Sequence, residues 1–170
     1  NKSFSISCEG IEIEAENNII FKSLNAIKKH CKVDKGIQIH LKKIIPVGAG
    51  LGGGSSNAAT TLIALNKIWG LNLSSKELAH IGKNIGADVP VFIYGKNAKA
   101  TGIGDIFADI ELERNKFLLI CPNIEVSTSK MFRKLEIHEL DPKYQNSFLN
   151  ILLKEYKSIE DFYINFISQY

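Results

Sequence analysis

The stretch Pro46-Val47-Gly48-Ala49-Gly50-Leu51-Gly52-Gly53-Gly54-Ser55-Ser56-Asn57-Ala58-Ala59 constrains this chain more than any other. Five glycines in the seven residues from Gly48 to Gly54 leave backbone N–H groups uncovered by Cβ atoms and free to take positive φ. Ala58, Ala59, Leu62, Leu65, Asn66 and Trp69 then recur at three- and four-residue spacing, so the glycines run straight into an amphipathic helix. Ser55, Ser56 and Asn57 supply hydroxyl and amide groups where that helix begins. A glycine loop feeding a helix N-terminus gathers N–H donors at the positive end of the helix dipole, and the pattern predicts a phosphate cradle.

Other glycine patterns fit less well. Gly48-x-Gly50-x-x-Gly53 satisfies the dinucleotide-binding spacing, and the strand-like run Ile37 to Ile45 precedes it. Pro46 interrupts that junction, however, and no strand ending in an acidic residue appears where the ribose-binding group should fall. In the P-loop pattern Gly54 stands where the lysine belongs. A plain hinge would rarely need so many glycines, which are costly to order, beside a well-patterned helix.

The motif Pro-x-Gly-x-Gly-Leu-Gly-Gly-Gly-Ser-Ser-Asn-Ala-Ala resembles the second motif of the galactokinase, homoserine kinase, mevalonate kinase and phosphomevalonate kinase (GHMP) superfamily. Gly86-Ala87-Asp88-Val89-Pro90-Val91-Phe92 and Ala100-Thr101-Gly102-Ile103-Gly104-Asp105 resemble the branch whose acceptor is 4-diphosphocytidyl-2-C-methyl-D-erythritol. The similarity is collinear from about Glu14 to about Phe132. It implies an α+β, two-lobed fold. An ATP-binding lobe like domain 2 of ribosomal protein S5 would occupy residues 1–112, and the start of a ferredoxin-like lobe residues 113–170, with the acceptor between them. It also implies ATP and Mg²⁺ as cofactors, and transfer of phosphate to the 2-hydroxyl of that small molecule in non-mevalonate isoprenoid synthesis. A kinase for homoserine or mevalonate, or a non-catalytic nucleotide-binding remnant, are the competing expectations.

By the same resemblance, Gly48, Gly50, Leu51, Gly52, Gly53, Gly54, Ser55, Ser56 and Asn57 hold the nucleotide, Asn18 contacts adenine, and Asp88 is the catalytic carboxylate. Phe132 stacks on the cytosine, and Ser55 or Ser56 meets the metal. Each of these residues also has a structural reading. Asn17 and Asn18 precede a helical pattern at Ile19, Ile20, Leu24 and Ile27 and suit a cap. The serines suit a cap of the glycine-loop helix. Asp88 follows a helix stop at Gly86 and suits a turn, although the apolar neighbours Ala87 and Val89 to Phe92 would make an unpaired carboxylate costly. Phe132 suits a helix core beside Leu135. The family's first motif, which brings a catalytic lysine, its aromatic–histidine pair and its third, glycine-rich motif are not among these residues. The chain also opens in mid-pattern without an initiator Met, so a piece of a longer kinase, inactive by itself, is expected.

Composition narrows the class. With 170 residues and 45% apolar content the chain can bury a core of its own. A net charge of +3 with scattered Lys and Arg gives no reason to expect a nucleic-acid partner. No run is long enough to span a membrane, and no signal-like segment opens the chain. Cys8, Cys31 and Cys121 match no metal or redox spacing, and reduced thiols in a cytoplasmic protein are expected. His30, His40, His80 and His138 share no ligand spacing.

The remaining pattern predicts elements. Phe4 to Cys8 alternates as a strand, with Ile11 to Ile13 its hairpin partner across Glu9-Gly10, and Ile37 to Lys43 alternates strictly. Gly70 stops the glycine-loop helix, and Ser74-Ser75-Lys76-Glu77 is a capping box opening a helix with Leu78, Ile81 and Ile85 on one face. Asn97 to Thr101 reads as a strand, and the charged Asp109 to Asn115 as a domain boundary. Phe117 to Cys121 reads as a buried strand, Ser127 to Leu135 as a capped short helix, and Tyr144 to Tyr170 as helical.

Overall fold

The computed structural model describes residues 3–10, 17–120, 124, 126, 128–135 and 148–169. They divide into two compact units, Asn1–Lys116 and Phe117–Tyr170.

In the first unit, strand β1 (Phe4–Glu9) is followed by helix α1 (Ile19–Cys31) and strand β2 (Ile37–Lys42). The two strands pair in parallel, Phe4 opposite Ile37 and Glu9 opposite Lys42, so α1 is the crossover that a parallel pair requires. Alternation sets the faces. Phe4, Ile6, Cys8, Ile37, Ile39 and Leu41 are half-buried and the residues between them exposed. The partner of β1 is therefore β2. The expected hairpin segment Ile11–Ile13 lies outside the described residues.

Helix α2 (Gly53–Trp69) follows the glycine loop, and Gly70 ends it in the left-handed conformation, as the sequence predicts. Its buried residues Ala58, Ala59, Leu62, Leu65 and Trp69 join Leu24 and Ile27 of α1 in one core. Two polar ties fix its far end: the Lys35 ammonium donates to the Trp69 carbonyl at 2.8 Å, and Asn66 bonds both the N–H and the C=O of Leu73 at 2.9 Å.

Helix α3 (Ser75–Lys83) carries the predicted capping box. The Ser74 N–H donates to Glu77 Oε2 at 2.8 Å, the Ser74 hydroxyl donates to the same oxygen at 2.7 Å, and the Glu77 N–H donates back to Ser74 Oγ at 3.3 Å. Leu78 and Ile81 enter the core. A six-residue helix, α4 (Val89–Tyr94), then lies against α3. A Cβ on Gly82 would fall 2.7 Å from Val89 Cγ1, so α4 can approach this closely only because residue 82 has no side chain. The hairpin β3 (Ala98–Thr101) and β4 (Ile106–Asp109) closes the unit. Sequence periodicity misses α4 and β4, which are too short to show a period. The Tyr94 hydroxyl donates to Asp109, the Lys96 ammonium reaches the same carboxylate at 3.1 Å, and Lys83 meets Asp105 at 2.6 Å. These contacts tie the hairpin to α4 and α3.

The second unit contains α5 (Thr128–Lys134), α6 (Leu149–Glu155) and α7 (Lys157–Gln169), with Met131, Ile151 and Ile159 buried. The expected buried strand at Phe117–Cys121 does not form over its described part. Residues 117–120 have no regular structure, and Phe117 and Leu118 are 88% and 85% exposed. An apolar strand needs hydrogen-bonded neighbours and cover on both faces, and no strand exists among the described residues of this unit. Cys121, Ser127, His138 and Tyr144 lie outside the described residues.

The core of the first unit should behave as a packed interior. Leu62→Ala, at a fully buried site, is expected to destabilise the chain by about 3 kcal/mol in urea unfolding. The capping box should be pH-dependent. Hydrogen bonding from the Ser74 side chain, then from its backbone, holds the Glu77 carboxyl below the usual glutamate range. A carboxyl whose folded pKa is depressed stabilises fully above its unfolded pKa and loses that contribution as pH falls through the folded value. Ser74→Ala should therefore lower the urea midpoint at pH 7, by a margin that shrinks below about pH 4.

Candidate functional site

Strand β2 delivers the chain to the glycine loop, and the loop enters α2 through Gly52, whose φ of +67° is the left-handed turn into the helix. Helix α2 starts at Gly53, three residues earlier than a cap at Ser55 would require and four earlier than one at Ser56. Ser55 and Ser56 are its third and fourth residues, and no side chain caps the N-terminus. The capping role open to both serines in the sequence is thus excluded. Ser56 N–H already donates to Gly52 O at 2.9 Å, whereas the amides of Gly53, Gly54 and Ser55 precede the first helical acceptor and point out of the helix end.

A cavity of about 370 Å³ opens onto these amides. Gly48, Gly50, Leu51, Gly52, Gly53, Gly54, Ser55 and Asn57 line it, together with Asn18 at the start of α1. Ser56 does not. The N-termini of α1 and α2 both border this cavity, and Leu41, Pro46, Val47 and Leu51 give it apolar walls. Asn18 is 3% exposed and caps α1, its Oδ1 accepting from the Ile20 N–H at 3.0 Å. That bond fixes the orientation of the amide and leaves its N–H₂ group outside the cap.

Lys43 is the member of this site that the sequence reading missed. It lines the cavity, and its Nζ would lie 2.8 Å from a Cβ on Gly53, against the first turn of α2. No acidic residue occupies that turn, and no carboxylate among the described residues pairs with Lys43. An ammonium beside the positive end of a helix is unfavourable in isolation and becomes favourable once an anion sits between them. A signal was available in the sequence. Lys43 continues the inward phase of Ile37, Ile39 and Leu41, where a charged residue is out of pattern.

Asp88 precedes α4 at its N-cap position, is exposed, and makes no side-chain capping bond. The expectation of an apolar setting around it is not met. Val89, Pro90 and Ile93 turn inward, and Asp88 and Phe92, one helical turn apart, share the other face. The turn carrying Asp88 does adjoin the glycine-loop helix: Ser55 Oγ is 3.9 Å from a Cβ placed on Gly86. Ser55 therefore borders both the cavity and this turn, which separates the two serines.

In the second unit Phe132 is 61% exposed and meets Phe148 edge to face, with ring centroids 4.9 Å apart at 85°. Met131, not Phe132, is the buried residue of α5, so the core reading of Phe132 fails. Among the described residues no group of three acidic, His or Cys side chains is arranged to hold a metal ion.

Residues 18–96 match the family model "GHMP kinases N terminal domain". Among similar proteins, 4-diphosphocytidyl-2-C-methyl-D-erythritol kinase of Pseudoalteromonas translucida is 44% identical over 141 residues, 83% of this chain and 50% of that protein. The enzyme of the same name from Polynucleobacter asymbioticus is 46% identical over 126 residues, 74% of this chain and 43% of that one. The chain spans about half the length of these curated relatives. A crystal structure of 4-(cytidine 5'-diphospho)-2C-methyl-D-erythritol kinase superposes with a TM-score of 0.71 at 24% identity, covering 94% of this chain and 64% of that one. Homoserine kinase from Cytophaga hutchinsonii gives 0.61 at 19% identity, over 79% and 48%. At these identities the superpositions establish a shared α+β fold.

If the cavity is an anion site, Lys43→Met should weaken ADP binding roughly 10- to 100-fold, the range of a charge-assisted hydrogen bond. Titration calorimetry at two salt concentrations should also show a smaller salt dependence than in the parent chain.

Proposed function

We propose that this chain, a member of the GHMP kinase family through its residues 18–96, supplies the nucleotide-binding and carboxylate half of an ATP-dependent kinase. The acceptor is 4-diphosphocytidyl-2-C-methyl-D-erythritol, phosphorylated on its 2-hydroxyl in non-mevalonate isoprenoid synthesis, in the cytoplasm. One observation carries the reading: the uncapped start of α2 and Lys43 face a cavity whose helix also borders the turn bearing Asp88. The relatives' names supply the acceptor.

ATP supplies the phosphoryl group. The amides of Gly53, Gly54 and Ser55, the α2 dipole and Lys43 bind its phosphates and stabilise the charge that grows on the transferring group. The apolar walls formed by Leu41, Pro46, Val47 and Leu51 take the base, and Asn18, oriented by its bond to Ile20, donates its amide N–H₂ to a ring nitrogen of the adenine. Asp88 accepts the proton of the acceptor hydroxyl or orients its lone pair. Mg²⁺, held chiefly by phosphate oxygens and water, would take the Ser55 hydroxyl as its protein ligand. The exposed ring of Phe132, packed at right angles to Phe148, stacks on the cytosine.

The test is ADP release from Mg-ATP by the full-length gene product, with the cytidine diphosphate alcohol, homoserine and mevalonate in parallel. Turnover is expected on the first alone. Asp88→Asn should lower kcat by roughly 10²- to 10⁴-fold while the KM for ATP stays near that of the parent. Turnover on another alcohol would replace the acceptor, and nucleotide binding without turnover would leave only a binding protein.

A further inference from the structure

We propose that Phe92 is a positioning residue that fixes the Asp88 carboxylate relative to the glycine loop; the proposal rests on the kinase reading above. Helix α4 has only six residues and holds its place by packing rather than by its own stability. On one side Val89 presses into the space left by Gly82. On the other, Phe92 reaches the loop: a Cβ on Gly52 would stand 2.7 Å from the ring's Cζ and 3.0 Å from its Cε2, so the ring rests on the Gly52 backbone. Gly52 is the left-handed residue from which the chain turns into α2 and its open amides.

Asp88 and Phe92 lie four residues apart on the same face of α4, so the ring that touches the loop stands one turn from the carboxylate. Tyr94 and Lys96, bonded to Asp109, anchor the far end of the helix. With both ends held, the ring sets how far Asp88 stands from the amides that hold the transferring phosphate. At 37% exposure Phe92 is too open to act mainly as core, which separates positioning from simple stabilisation. The ring touches the loop from outside the cavity, whose lining it does not join, so its loss should spare nucleotide binding and affect the step that needs Asp88.

In the full-length gene product, Phe92→Ala should lower kcat on the order of 10- to 100-fold, the scale of a misplacement of about 1 Å. The KM for Mg-ATP should stay within about threefold. Phe92→Met, which refills most of the volume, should recover most of the loss. A kcat for Phe92→Ala within about twofold of the parent, or a rise in KM for ATP with kcat preserved, would overturn the proposal. A stability cycle tests the contact without turnover. Gly52→Ala carries the same positive-φ strain in any background but clashes only when the ring is present. It should therefore lower Tm more beside Phe92 than beside Phe92→Ala, and equal shifts would overturn the contact. A parent enzyme that turns over no alcohol defeats the kinase reading and the positioning role with it. A flat cycle in an active enzyme defeats this proposal alone.

Discussion

The rest of the first unit is arranged around a helix end left electrically open. Helix α2 begins with three amides that no side chain satisfies, a glycine in place of a cap, and a lysine against its first turn. A fold selected for stability alone would put Ser, Asp or Asn at Gly52 and an acidic residue in the first turn, as Ser74 and Glu77 do for α3. The contrast between two helices of the same unit is informative. One N-terminus is closed by the chain itself and the other is left open to the cavity.

Holding such an end in place takes support from several directions. Strands β1 and β2 deliver the loop, and the core residues of α1 and α2 hold the helix behind it. Lys35 and Asn66 secure its far end. Helix α4 closes against the loop through Phe92 and against α3 through Val89. The face of α4 left outward is the one that carries Asp88, so the packing that buries Val89 and Ile93 also leaves the carboxylate exposed.

Much of this was legible in the sequence, for identifiable reasons. Strict alternation at Phe4–Cys8 and Ile37–Lys43, the Gly70 stop and the Ser74–Glu77 box are local signals, and local signals survive folding. The readings that failed depend on tertiary context. Phe117–Ile120 is apolar enough for a buried strand, but hydrophobicity does not supply neighbouring strands. The apolar neighbours of Asp88 suggested burial, yet helical phase turned them inward and the carboxylate out. Ser55 and Ser56 looked like caps because the glycines before them hid where the helix starts. Lys43 was visible as a charge on an inward phase, and only the packing of Gly53 showed what it faces.

The proposed nucleotide site stands most directly on the open amides of α2. Two-dimensional amide NMR of the chain titrated with ADP would read them individually. The largest shifts, saturating together, are expected on Gly53, Gly54 and Ser55, with Gly70 and the amides of α3 unmoved. Saturable binding that leaves those three amides in place while shifting others would contradict it, as would an unchanged spectrum at millimolar ADP.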